Sequence, residues 1–214
     1  MTPKDTLEIA PDAGPARTNR QNAEHGFKAS ERLMDSLQRV LVDLIELHLQ
    51  GKQAHWNVVG TNFRDTHLLL DEIVEAGRLA SDQIAERMRA LHAIPDGRSD
   101  VVAATTSLPE FPQGEISTTD VVDLVTTAIE STVATMRDVH DGVDEEDPTS
   151  ADVLHAIIEQ LEQFAWFMSA ENRTPRASAK SSGSGSGSKA AASTKDDKSA
   201  VSAKSKSSGG KKKK

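Results

Sequence analysis

KQAHWNVVGTNFRDTHLLLDEIVEAGRLASDQIAE, Lys52 to Glu86, sets histidines and carboxylates at helical spacing inside a Leu/Val/Ala-rich pattern. His67 and Asp71 are four apart, as are Asp82 and Glu86, so on one helix each pair projects from a single face and can grip one ion. Imidazole with carboxylate suits iron or zinc. Asp71 and Asp82 are eleven residues apart. At about 1.5 Å per residue that is roughly 16 Å of helix, whereas metal–ligand bonds are about 2 Å. One helix therefore cannot close the site alone. Two arrangements can: two half-sites completed by other segments of the same chain, or a twofold partner whose antiparallel helix brings Asp82 and Glu86 to His67 and Asp71. The second needs fewer further ligands. The chain offers one more well-placed candidate, His55, at the end of the preceding helix and just before the turn around Gly60.

KQAHWNVVGTNF, followed by His67 and Asp71 and then by Asp82 and Glu86, resembles the signature of the Dps family, the bacterial miniferritins that oxidise ferrous iron and protect DNA. In that family the first histidine, the histidine–aspartate pair and the aspartate–glutamate pair form a ferroxidase centre across a dimer interface. The five positions carry over onto His55, His67, Asp71, Asp82 and Glu86 with no departure in type or spacing. The resemblance covers roughly Ser30 to Asn172, with weaker echoes in DPTSADV and QFAWFMS. Ordinary ferritins use glutamates with a Glu-x-x-His pattern inside one bundle, and that pattern is absent. Any one of these residues alone would read as a solvated helix side chain; five at this spacing read as a site. Trp56 is a packing residue or a nearby oxidisable ring that intercepts reactive oxygen.

The chain has 214 residues, a formal net charge of −8 and no cysteine. That length supports one domain with a real core. Without cysteine there is no disulfide framework, thiolate zinc site or thiol nucleophile, and a reducing cytoplasm is the natural home. No apolar run resembles a signal peptide or a spanning helix. Residues 1–29 mix Pro, Gly and charges of both signs without periodicity and read as an extended arm, whose Arg17, Arg20 and Lys28 can touch DNA, a neighbouring subunit or only water.

From Ser30, a plausible N-cap, apolar residues recur at three and four: Leu33, Leu37, Val40, Leu41, Leu44 and Leu47. This predicts a helix to about Val58, stopped by Gly60. A second, capped by Asn62, runs from Phe63 to about Ala93, with Gly77 permitting close approach of another helix where a twofold crossing would fall. A long connection from Asp96 to Ser117 has room for a short helix. Ser117 and Asp120 form a capping box for a third helix that decays in DGVDEED, and Asp147–Pro148 opens a fourth with Ile157, Leu161, Phe164 and Phe167 inward. Four helices and no strand signal predict an all-α fold, a ferritin-like four-helix bundle over residues 30–173 with one long crossover.

Beyond Asn172 the composition turns to Ser, Gly, Ala and Lys. Lys180, Lys189, Lys195, Lys198, Lys204, Lys206, Lys211, Lys212, Lys213 and Lys214 with Arg176, against Asp196 and Asp197, give residues 174–214 a charge of +9, which leaves −17 for the rest. An acidic body with a basic tail attracts cations to the one and phosphates to the other. The Gly-Ser run also fits an engineered appendage.

The resemblance implies a hollow dodecamer that takes up Fe2+, oxidises it at the dimer interface, preferably with hydrogen peroxide, and stores Fe3+ mineral. It also implies a cytoplasmic, nucleoid-associated protein that protects DNA, and puts Asp152, with Asp147 nearby, at a threefold pore; the Lys-rich tail, which offers no fixed donors for base edges, is expected to bind that DNA without sequence preference. Two other readings compete: a nucleoid-condensing protein with incidental metal, and a monomeric di-metal oxidase, which the separation of the ligand pairs disfavours.

Overall fold

A computed structural model of the protein describes residues 26–175. The arm over residues 1–25 and the tail from residue 176, with its ten lysines, lie outside the described residues. Five helices run in the order α1 (Glu31–Asn57), α2 (Phe63–Ala90), α3 (Ser99–Thr105), α4 (Thr118–Glu146) and α5 (Pro148–Glu171). Two two-residue strands, β1 (Val58–Val59) and β2 (Ile116–Ser117), pair in parallel with Val58 opposite Ile116.

The capping chemistry explains why the helices begin where they do. Ser30 Oγ accepts the Leu33 amide at 3.1 Å. Ser30 also donates its own amide (2.8 Å) and hydroxyl (2.6 Å) to Glu146, which ties the start of α1 to the end of α4. Ser117 caps α4 through the Asp120 amide as the capping box requires. Asn62 stands at the N-cap of α2 but in the left-handed region, at φ 61°, and its side chain makes no cap bond. It donates instead to Glu171 at 2.7 Å, fastening the start of α2 to the end of α5.

These ties fix the topology. α1 and α4 are antiparallel, as are α2 and α5, so α2 ends at the opposite end of the bundle from the start of α4. The connection must therefore travel the full bundle, about 40 Å for helices of this length. That is what the segment from Leu91 to Ser117 does, with α3 on its way and β2 at its end. Asp43, in the middle of α1 and 1% exposed, holds this segment down. Its carboxylate accepts from Thr106 Oγ1 (3.0 Å), the Ser107 amide (2.7 Å), Ser107 Oγ (2.6 Å) and Thr135 Oγ1 of α4 (2.6 Å).

The core is aliphatic. Leu37, Leu44, Leu47, Leu70, Ile73, Ile84, Met88, Ile129, Met136, Leu154 and Leu161 are fully buried along its length. The third expected helix does end within the acidic run DGVDEED: α4 reaches Glu146, carried that far by Val143, which extends the buried stripe of Met136 and Val139. Several expectations need correction. Phe167 is 38% exposed, with Phe164 taking the inward position. Gly77 does accommodate a neighbouring helix, but it is α1 of the same chain: a Cβ there would lie 3.3 Å from His48 Cβ and 3.6 Å from the Leu44 carbonyl. The β1–β2 pairing had no sequence signal. Ala29 is already buried and donates its amide to Leu91 at 3.2 Å, so the packed chain begins before Ser30. Among the described residues no helix is long and apolar enough to cross a membrane.

Candidate metal centre

The α1–α2 hairpin brings three of the five expected ligands together. His55 lies in the last turn of α1, and His67 and Asp71 lie in the first turns of α2. Gly60, at φ +124°, makes the return possible, a conformation that L side chains rarely adopt. The two imidazoles stack with centroids 3.7 Å apart and planes inclined by 22°, and Phe63 lies against His67 at 5.1 Å. Each histidine then binds the other's backbone. His55 Nδ1 is 3.0 Å from the His67 carbonyl, and His67 Nδ1 is 3.0 Å from the His55 carbonyl.

A carbonyl oxygen only accepts, so both Nδ1 atoms carry the proton. In the neutral rings both Nε2 lone pairs are therefore left for a metal. Such backbone bonds fix the tautomer and ring orientation of a ligating histidine before any ion arrives. Asp71 Oδ1 sits 3.3 Å from His55 Nδ1 and accepts from Lys52 Nζ at 2.6 Å. The hydrogen bond from the Lys52 ammonium holds the Asp71 carboxyl below its usual range against the opposing cost of burial, with a lesser contribution from the neighbouring histidines. Lys52, part of the quoted stretch but not expected as a partner, keeps this carboxylate ionised and is the cation that an arriving metal must share it with.

Asp82 and Glu86 are not part of this cluster. They are exposed, further along α2. Among the described residues no three His, Asp or Glu side chains converge so as to hold an ion within one chain. The spacing is nonetheless regular. At about 100° per residue, eleven residues return to nearly the same face, so His67, Asp71, Asp82 and Glu86 fall within an arc of roughly 100° on α2. His67 and Glu86 are also equidistant from the point between Ala76 and Gly77, and so are Asp71 and Asp82.

The two expected pore residues differ. Asp147 is buried, accepting from Arg87 Nη2 at 2.7 Å and from the Ser150 hydroxyl. Burial pushes its carboxyl up, but these two donors outweigh it and hold the group below its ordinary value. Asp147 is thus engaged within its own chain, whereas Asp152 is exposed near His155. Two features went unread in the sequence because they join residues on different helices: the Arg87 clamp, and a pair of facing imidazoles, His140 and His155, on α4 and α5.

Comparison with known proteins agrees with this architecture. The family model for a ferritin-like domain matches residues 34–176. DNA protection during starvation protein 2 of Deinococcus radiodurans is 32% identical over 171 residues, 79% of this chain and 71% of that protein. The DNA protection during starvation protein of Agrobacterium fabrum is 30% identical over 155 residues, 72% of this chain and 96% of its own. The solved structure of Dps from Microbacterium arborescens in the high iron form superposes with a TM-score of 0.64 at 32% identity, over 69% of this chain and 99% of that one. On its fold and on these relatives, the chain belongs to the ferritin-like family and, within it, to the Dps miniferritins.

Proposed function

We propose that the protein is a ferroxidase and iron store whose oxidation centre is completed between two chains. His55, His67 and Asp71 of one copy face Asp82 and Glu86 of another. The observation that carries this reading is the symmetry of α2. A twofold axis passing between Ala76 and Gly77 exchanges position 67 with 86 and position 71 with 82, so one antiparallel α2–α2 crossing completes two centres at once. The same operation pairs Glu75 with Arg78, which in the single chain fork onto each other at 2.7 and 3.0 Å.

Iron is the substrate here. Hard carboxylates stabilise Fe3+ over Fe2+, so the His/Asp/Glu set lowers the cost of removing an electron. With hydrogen peroxide as oxidant, two Fe2+ ions each give one electron and the O–O bond breaks. Hydrolysis of the two Fe3+ ions then releases protons and deposits oxyhydroxide. Oxidant and metal are removed together, which suppresses hydroxyl radical. The homologues' names support a DNA-protecting role, and a dodecameric cage in the cytoplasm is the form in which mineral would be stored.

The test is complementation between two co-expressed variants, His67→Ala/Asp71→Ala and Asp82→Ala/Glu86→Ala. Mixed oligomers regenerate centres with all five ligands, so ferrous oxidation followed by absorbance should exceed that of either variant alone. Mixed oligomers no more active than the better parent would remove the shared centre.

A second reading, DNA binding through the Lys-rich tail, rests on the +9 charge of residues 174–214 beside a body at −17. Each lysine that meets a phosphate releases a condensed counterion, and a cage presenting many tails raises their effective concentration.

A further inference from the structure

A cavity of about 400 Å³ lies against α4 and α5, lined by Arg137, His140, Asp141, His155, Glu159 and Glu162 together with Ile158. Its geometry is independent of the centre on α2. His140 Nε2 and His155 Nε2 face each other at 2.7 Å, with ring centroids 4.6 Å apart and planes inclined by 30°. Behind each ring stands a carboxylate: Asp141 Oδ1 lies 3.1 Å from His140 Nδ1, and Asp152 Oδ1 lies 3.9 Å from His155 Nδ1. We propose that His140 and His155 form a second metal site, which takes a divalent transition-metal cation of the zinc or copper type through their two Nε2 atoms.

At 3.1 Å Asp141 selects the His140 tautomer with its proton on Nδ1 and directs the Nε2 lone pair outward, while Asp152, beyond hydrogen-bond distance at 3.9 Å, favours the same tautomer of His155 only through its charge. Two lone pairs cannot face each other at this distance unless something electropositive lies between them, either a shared proton or a cation. A metal bonded at about 2.0–2.1 Å to both nitrogens at a tetrahedral angle sets them roughly 3.3 Å apart. The pair must open by only about 0.6 Å from its observed distance. The His155 side chain is 59% exposed and can supply that movement by side-chain rotation. The backbone around it is firm, because α4 and α5 are joined through the single residue Asp147, itself clamped by Arg87.

The donor set selects the ion. Imidazole suits Zn2+ and Cu2+ better than the hard cations Mg2+ and Ca2+, which take oxygen ligands. Water supplies the remaining positions, and Glu159, one helical turn beyond His155 on the same cavity wall, adds negative charge that favours a cation there. Glu162 is engaged with Arg137, so that guanidinium is neutralised where a cation must approach.

The experiment is a Zn2+ titration of the intact protein against a chromogenic chelator, paired with Cu2+ electron paramagnetic resonance. Wild type should bind one more Zn2+ per chain than His140→Ala or His155→Ala, with affinity at that site lowered at least tenfold in either variant. Asp141→Asn and Asp152→Asn should weaken it by about tenfold while leaving the site in place. The Cu2+ spectrum should lose the two-nitrogen coupling pattern in either histidine variant. His155→Gln keeps the side chain's size and serves where alanine disturbs assembly, as read by circular dichroism and molecular mass. Unchanged Zn2+ stoichiometry and affinity in the His140→Ala/His155→Ala double variant would overturn the proposal, as would a Cu2+ spectrum identical to that of wild type.

Discussion

Replacing Asp43 by Ala tests whether the crossover is held to the bundle by one buried carboxylate. Four donors converge on it, and at about 1.5–3 kcal/mol for a hydrogen bond to a charged group their gross contribution is large. Much of it is offset by the cost of taking an unpaired carboxylate out of water, several kcal/mol. The net loss is therefore set by what the alanine leaves behind. Thr106, Ser107 and Thr135 hydroxyls can rotate to other acceptors; Ser107 Oγ and Thr135 Oγ1 are already 3.1 Å apart. The Ser107 amide cannot rotate. Left without its acceptor in this part-buried setting, the amide costs about 1–3 kcal/mol, and the small void at the buried Asp43 adds about 1 kcal/mol more, so the expected loss is about 3 kcal/mol. For a folded domain of this size that is a fall of roughly 10 °C in melting temperature. Differential scanning calorimetry of the assembled protein, at matched concentration, measures it. Proteolysis should cut first between residues 97 and 115. A melting temperature within about 2 °C of wild type would show that the four bonds do not anchor the crossover.

Asp147→Asn should destabilise the protein by on the order of 2 kcal/mol at neutral pH, because it weakens the bond with Arg87. The folded-state pKa of Asp147 is depressed, so the stability it supplies is present above its unfolded value, about 3.9, and is lost as pH falls through the folded value. The gap between variant and wild type in denaturant unfolding should therefore narrow below about pH 4; a gap that persists there would contradict the assignment. Gly142→Ala should stabilise by about 0.5 kcal/mol. The new methyl would meet only the flexible Arg32 guanidinium, at 2.5 Å, and the helix gains roughly 0.8–1 kcal/mol while an exposed ion pair worth less than about 1 kcal/mol loosens. Gly77→Ala should have the opposite sign, since its methyl would lie 3.3 Å from His48 Cβ, an atom that α1 holds in place, and thermal melts of the two variants decide between them. Truncation after Thr174 should abolish gel retardation of duplex DNA that wild type shows at low salt, with no sequence preference and a steep fall in wild-type binding as salt rises. Undiminished retardation by the truncated chain would move the role to Arg17, Arg20 and Lys28.

The helices were legible because burial repeats every three to four residues along all of them, and the starts at Ser30, Ser117 and Asp147 because local chemistry marks a cap. The placing of the proposed ligands on one face of α2 was legible for the same reason: spacing on one helix is geometry. Whatever joins distant segments was not. Asn62 reads as a cap, yet Glu171, more than a hundred residues away, takes its side chain. Asp147 reads as an exposed pore carboxylate until Arg87 is seen beside it. DGVDEED reads as the end of a helix because its charges outnumber its apolar residues, and α4 does end within it; which residue is last was not legible, since Val143, buried against the core, carries the helix as far as Glu146. Val58 and Val59 cannot be distinguished in sequence from the tail of α1, and only their alignment with Ile116 and Ser117 makes them a strand.

The exchange of hydrogen bonds between His55 and His67 makes one imidazole answer to two demands. The last carbonyls of α1 have run out of amides in their own helix, and His67 Nδ1 supplies a donor to that of His55. The ring proposed to hold iron is therefore also the stopper of the helix before it. Loss of His67 would fray the end of α1 as well as remove a donor nitrogen, so an inactive His67→Ala protein is ambiguous unless its helix content is measured beside its turnover. The proposed half-centre is likewise held by backbone carbonyls of a single chain, those of His55 and His67.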